Sequence, residues 1–468
     1  MPLLCIHNAR LLSTDGESLG GVLVGDDGRI EAILAGNDRA AAEHVVDARE
    51  RLLFAGFIDA HVHMREPGFT HKESFASGTT AAACAGVTTV MCMPNTNPAV
   101  DGVSGFRVAH AAGCANALVD FTLQGAITRN NLDGIADLWA CGVTSLETLL
   151  SDGPPDDCLD DAAILLDALA VAAGVGARVG LYTGCQSLVN EGVKRMRAAG
   201  RTDWRAFVEA RVPVGEAIGV ALALEAARHV GAQIVIRQAS TARGLDLIRR
   251  AKREWAGDTL AAEATPHHLH CDDNLVEVLG PLTQMVPPLR PTADRDATVE
   301  ALIDGTVDFV GSDHAPHAAD EKFGPDPWST AGGSPGLDTV APAILDFACR
   351  GLIPYTRVTE VLGARPAELF GVADRKGSLK PSMDGDLVLV DPTIERTVSA
   401  ESIRSKAGRS VFEGATLRGW PIMTVLRGRI IAQDGELVST DHRGAFVSRG
   451  GVADPALSGT TAGPTCTP

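Results

Sequence analysis

The chain has 468 residues, 45% of them hydrophobic, and a formal net charge of −18. That length and apolar content support a large core with a smaller satellite domain, and the acidic balance argues against nucleic acid and anionic membrane surfaces as partners. The ten cysteines, scattered from Cys5 to Cys466 without a Cys-x-x-Cys pair, suit free thiols in a reducing compartment better than a disulfide framework.

The opening residues, Met1 to Arg10, include His7, Asn8 and Arg10 and do not read as a secretory signal. No apolar run reaches the roughly 18 residues of a membrane span. A soluble cytoplasmic protein is the expectation. Residues 1–54 read as short strands, with Val22-Leu-Val and Arg29-Ile-Glu-Ala-Ile flanking a hairpin turn at Gly25-Asp26-Asp27-Gly28. From 55 to 375, strand-like runs (Thr88 to Met93, Arg178 to Tyr182, Gln233 to Ile236, Asp308 to Ser312) alternate with helical ones (Ala162 to Ala173, Gly215 to His229). This alternation predicts parallel strands with crossover helices, and the length fits a (β/α)₈ TIM barrel with long βα loops. From 376 to 443 short strands return, at Asp386-Leu-Val-Leu-Val and Val425 to Ile431, the latter ahead of the turn Asp434-Gly435. The two ends are expected to form one small β-sandwich domain with the barrel inserted between them. Residues 444–468, rich in Gly, Ser, Thr and Pro, are expected to be a disordered tail.

Phe57-Ile58-Asp59-Ala60-His61-Val62-His63 ends the first strand of the barrel. Side chains alternate along a strand, so His61 and His63 share a face and can clamp one divalent ion. A bare His-x-His is more often two ordinary histidines; here the surroundings decide. They are His63-Met-Arg65-Glu66-Pro67-Gly68, Met93-Pro94-Asn95-Thr96-Asn97-Pro98, Thr265-Pro-His267-His268-Leu269, Pro287-Pro-Leu-Arg290-Pro, Gly311-Ser-Asp313-His-Ala-Pro-His317 and Arg375-Lys376-Gly377. Motifs of this length in this order resemble the dihydroorotase branch of the amidohydrolase superfamily, over nearly the whole chain to about residue 440. Allantoinases and hydantoinases share the scaffold.

The resemblance implies a metal site at the carboxyl ends of the strands. Family members commonly hold two ions: one on the His-x-His pair and an aspartate of the last strand, the other on histidines of the fifth and sixth strands, with a carboxylated lysine or an aspartate between them. The first set matches His61, His63 and Asp313. The rest departs: Glu147 stands at the lysine's position, with Asp152 as a rival. Tyr182 and Gln238 stand near the two missing histidines. One Zn²⁺ or other divalent ion on His61, His63, Asp313 and Glu147 is therefore expected rather than two. The resemblance further implies that Arg65, Asn95 and His317 hold a substrate carboxylate, and that Asp313 serves as general base and then general acid. Tyr182 is a candidate donor to the substrate carbonyl, Arg290 a structural anchor, and His267 and His268 packing groups.

The expected activity is opening or closing of a carboxylate-bearing cyclic ureide by a homodimer or homotetramer. Two rivals stand beside it: an inactive homologue serving as an assembly scaffold, and a binding protein for a small anion.

Overall fold

The computed structural model describes residues 1–452 other than 256, 439, 441 and 451. From the start of the chain come Leu4–Ser13 (β1), Gly16–Val24 (β2), Ile30–Ala35 (β3), His44–Asp47 (β4) and Leu52–Ala55 (β5). β2 and β3 pair antiparallel about the expected turn, where Gly28 has φ 77°. A left-handed backbone of that kind is open to glycine at little strain.

The middle of the chain supplies the parallel strands Phe57–Val62 (β6), Val87–Cys92 (β7), Asp120–Leu123 (β8), Gly125–Ala126 (β9), Leu146–Leu149 (β10), Arg178–Tyr182 (β11), Gln233–Arg237 (β12), Leu260–Ala264 (β13) and Phe309–Val310 (β14). β6, β7 and β8 form one sheet, and β9 to β14 form another in sequence order. Every residue of β6 and β7 is buried, as in parallel sheets covered on both faces. The expected helices lie at Ala162–Gly174 and Pro213–Val230. The first begins at Asp161, whose carboxylate accepts from the amides of Ala163 and Ile164. The second opens on Pro213 and stops at Gly231, φ 72°.

The two parallel sheets meet at both edges. At one, β8 runs through Gln124 into β9, which pairs with β10. At the other, Val62 forms a parallel bridge with His314 beyond β14, and the His63 amide donates to the His314 carbonyl at 2.8 Å. Inside lies an apolar cluster that includes Ile58, Ala60, Met91, Val235, Ala261, Phe309 and Phe370.

The later strands are Leu387–Thr397 (β15), Thr416–Leu426 (β16), Arg429–Gln433 (β17) and Glu436–Leu437 (β18). β15 pairs with β5, so strands from both ends join as expected. Hydrogen bonding joins them in one nine-stranded sheet. Its core of Leu4, Ile6, Val22, Ile30, Leu53, Leu387 and Val425 is distinct from the main one. Val425 to Ile431, read from sequence as one strand, is broken into a hairpin. Arg427 (φ 45°) and Gly428 (φ 77°) are successive left-handed residues, the geometry of a tight two-residue turn.

The expected disorder from residue 444 is also corrected. The described start of that segment packs against the parallel sheets: the Val447 amide donates to the Phe121 carbonyl at 2.8 Å, and the Phe446 ring lies 4.8 Å from His110 and 5.6 Å from Phe121. Three buried residues, Ala445, Phe446 and Val447, outweigh the polar composition around them. The rest of the expected tail lies outside the described residues. Among the described residues eight cysteines are free, but Cys114 is disulfide-bonded, which departs from the expectation of free thiols. Among the described residues no helix is long and apolar enough to cross a membrane.

Candidate active site

His61 lies in β6 and His63 just beyond it, and Asp313 follows β14 with φ 47°. The Ser312 amide donates to Asp59 Oδ1 at 2.9 Å, which ties the Asp313 loop to the histidine strand. Ligand atoms of His61, His63 and Asp313 all lie within 4.8 Å of one another. Both Nε2 atoms face Asp313 Oδ1, at 3.2 Å from His61 and 3.1 Å from His63. Behind them, His61 Nδ1 meets Glu263 Oε1 at 2.6 Å and His63 Nδ1 meets Asn95 Oδ1 at 2.7 Å. These oxygens are acceptors, so each ring directs a proton on Nδ1 at its partner and turns Nε2 inward, an orientation assigned from those partners.

Two ring nitrogens and a carboxylate oxygen facing one another need a shared cation, a proton or a metal ion, between them. Nitrogen and oxygen donors suit Zn²⁺ or a similar divalent ion, and an acceptor behind each ring is the arrangement that orients metal-binding histidines. Burial of the His61 ring disfavours its charged form, but Glu263 and Asp313 outweigh burial and hold its pKa up at about 10, so a proton on Nε2 faces Asp313 and would be displaced by a metal ion binding there. Asp313, despite its own burial, is kept well below the ordinary carboxylate range by His61 and His63.

The positions that depart from the family pattern behave differently. Glu147 does not join the converging atoms, which corrects the expectation that it replaces the lysine as a ligand. Its carboxylate accepts from Arg237 Nε at 3.1 Å, Arg237 Nη2 at 2.7 Å and Ser145 Oγ at 2.6 Å. Its rival Asp152 is likewise held by an arginine, accepting from Arg211 Nη2 at 2.7 Å. The Tyr182 hydroxyl lies 2.8 Å from His61 Nε2. Gln238 Nε2 donates to Asp313 Oδ2 at 2.6 Å, so this residue steadies the aspartate.

A cavity of about 310 Å³ opens over the cluster, and His63, Arg65, Asn95, Tyr182, Asp313 and His317 all line it. Arg65 is buried, with φ 61°. Its Nε donates to the Pro316 carbonyl at 3.2 Å and its Nη2 lies 3.3 Å from His317 Nε2. Among the described residues no carboxylate forms an ion pair with it. Burial pushes its pKa down to about 10, and burial with the neighbouring Arg65 and Lys72 pushes His317 down to about 3. Asn95 spends its Oδ1 on His63, which leaves its Nδ2 to donate elsewhere. Arg65, Gln238 and Asp313 all hold left-handed backbones, a conformation that costs non-glycine residues on the order of 1–3 kcal/mol each and clusters at functional sites.

Arg290 is an anchor as expected: it donates to Ser240 Oγ, the Arg211 carbonyl and Glu216. His268 packs between Thr265 Oγ1 and the Pro288 carbonyl. His267 is buried against it, ring centroids 4.5 Å apart, and is not among the converging ligand residues. Sequence reasoning missed Arg237 and Glu263. The signal was present: each is a lone charge in an otherwise apolar stretch, Ile234-Val-Ile-Arg237 and Leu260-Ala-Ala-Glu263, that parallel pairing buries on both faces.

The Dihydro-orotase-like family matches residues 50–134 and the Amidohydrolase family residues 271–431. The chain is 37% identical to a dihydroorotase of Halobacterium salinarum over 427 residues, 88% of this chain and 96% of that one. It is 34% identical to an allantoinase of Rubrobacter xylanophilus, covering 90% and 93% respectively. Among solved structures, an L-hydantoinase from Arthrobacter aurescens superposes with a TM-score of 0.91 at 28% identity, covering 96% of this chain and 100% of that one.

Proposed function

The chain belongs to the amidohydrolase family, in its group of hydrolases acting on cyclic amides, and from that premise we propose that it opens and closes a carboxylate-bearing cyclic ureide of the dihydroorotate type, with one divalent metal ion. The two joined parallel sheets are read as a (β/α)₈ barrel with the site at the carboxyl ends of its strands. The observation that carries the substrate class is Arg65. A buried guanidinium without a carboxylate partner, lining the same cavity as His63 and Asp313, calls for an anion from outside.

His61, His63 and Asp313 would hold the ion. When bound, it supplies a Lewis acid that favours deprotonation of water near neutral pH. The remaining work falls to side chains. Arg65, Asn95 Nδ2 and His317 bind the carboxylate and set the ring's orientation. The attacking water's proton passes to the Asp313 carboxylate, whose rotation Gln238 fixes. The water oxygen bonds to the ring carbonyl carbon, the ring carbon–nitrogen bond breaks, and Asp313 returns the proton to the leaving nitrogen. Ring closure runs the same steps backwards.

The experiment is elemental analysis of the purified protein paired with turnover of dihydroorotate, its ureido acid, hydantoin and allantoin. One equivalent of metal with turnover of the carboxylate-bearing pair supports the proposal. Absence of both metal and activity across the panel overturns it in favour of the scaffold reading.

A further inference from the structure

A fully buried guanidinium lies among the carboxylates behind the converging ligand atoms. Arg237 ends β12, and each of its five N–H groups has an acceptor. Nε and Nη2 grip Glu147 at 3.1 and 2.7 Å, and Nη2 reaches Gln124 Oε1 at 3.4 Å. Nη1 donates to Glu263 Oε2 at 2.5 Å and to the Ala60 carbonyl at 3.3 Å. The other oxygen of Glu263 takes His61 Nδ1, so one hydrogen-bonded chain runs from Glu147 through Arg237 and Glu263 to His61 and Asp313.

The charge of that chain is countable. Glu147, Glu263 and Asp313 are three carboxylates and Arg237 is one guanidinium. Imidazoles must be neutral to ligate a metal; with both neutral, two net negative charges remain, which one divalent ion cancels. An apolar residue at 237 would leave three. Unmatched charge on buried groups is worth several kcal/mol, so this balance bears directly on what the site binds. The fold also makes room for the pair: a Cβ at Gly180 of β11 would lie 2.0 Å from Glu147 Oε2.

We propose that Arg237 is a built-in cation that sets the charge of this site for a single divalent ion. The inference rests on the metal-binding reading above. All five of its N–H groups are engaged within the protein, so Arg237 is a positioning residue that acts through Glu263 and His61 and through the net charge.

The test is Zn²⁺ titration of the full-length apoprotein against a competing chelator, with bound metal counted by atomic spectroscopy. The unaltered protein is expected to take one equivalent even with Zn²⁺ in excess. Glu147→Gln keeps the side-chain shape but leaves one net negative charge, and is expected to weaken Zn²⁺ binding at least tenfold, although Glu147 is not a ligand. Arg237→Met/Glu147→Gln returns the count to two and is expected to bind within about threefold of the unaltered protein, the span expected of outer groups being roughly 10–100-fold. If Glu147→Gln is too unstable to assay, the double variant decides alone, and tenfold weaker binding there overturns the proposal. So does unchanged affinity in Glu147→Gln, or two equivalents in the unaltered protein. If the unaltered protein takes no metal at all, the functional reading falls first and this inference with it.

Discussion

The Tyr182 hydroxyl lies 2.8 Å from Nε2 of His61, the nitrogen that would face a metal, and 3.3 Å from Met93 Sδ. Burial and the nearby Glu147 hold the phenol well above its usual pKa, so it stays a donor over the whole working range. With a cation on His61 the O–H needs another acceptor, and Tyr182 lines the cavity where the ring carbonyl would sit. Tyr182→Phe is expected to lower kcat by roughly 100-fold, the usual effect of losing one donor to a developing oxyanion, with metal content unchanged. Steady-state rates on a carboxylate-bearing ring check it. Full turnover in the variant excludes the role.

Arg65 separates charged from uncharged substrates. Arg65→Met is expected to reduce kcat/KM for dihydroorotate by about two orders of magnitude, or ~3 kcal/mol, while leaving hydantoin turnover within a few-fold. The contrast matters because removing a buried cation also disturbs packing. A disturbed fold lowers both substrates alike, and equal losses would defeat the assignment of a carboxylate pocket.

Much of this was legible before any coordinates. The strand and helix pattern from 55 to 375 and the hairpin at Gly25–Gly28 follow from local periodicity and turn chemistry, and the structure keeps them. His61, His63 and Asp313 come together as their motifs imply. What failed is non-local. Glu147 was expected to face a metal because position along a strand tells which residue a ligand replaces, but not which cation reaches it first. That cation is Arg237, 90 residues away in sequence. The ordering of Ala445 to Val447 likewise depends on a partner, Phe121, that composition cannot see.

A second buried cluster shows the same logic in a structural setting. Asp120, Asp384 and Asp386 converge like metal ligands, but a lysine fills the centre: Lys376 Nζ lies 2.5 Å from Asp120, 2.8 Å from Asp384 and 2.6 Å from Asp386. The cluster ties the start of β8 to the residues leading into β15, and so joins the parallel sheets to the nine-stranded one. Lys376→Met is expected to destabilise the protein by about 3–5 kcal/mol, because it leaves Asp386 without a cation beside two other buried carboxylates, although Arg427 still pairs with Asp120 and Arg375 with Asp384. Urea unfolding measures this. A loss below about 1 kcal/mol, the level of an exposed pair, would show that the carboxylates find other relief.

Glu73 gives a pH dependence with a definite sign. Burial alone would raise its pKa, but the His314 imidazole and the Ser405 and Ser77 hydroxyls outweigh burial and hold it down at about 2. Ser405 Oγ donates to Glu73 Oε2 at 2.6 Å, a link between the helix after β6 and the loop before β16. A carboxylate depressed in the folded state binds its proton more readily when unfolded. Its stabilisation is therefore complete above the unfolded value of about 4.5 and fades as pH falls from there through about 2. Each pH unit inside that window removes at most ~1.4 kcal/mol. Thermal melts of the unaltered protein and Glu73→Gln between pH 2 and 7 should differ most above pH 5 and converge toward pH 2. A difference that stays constant over this range would place the contribution in packing instead of charge.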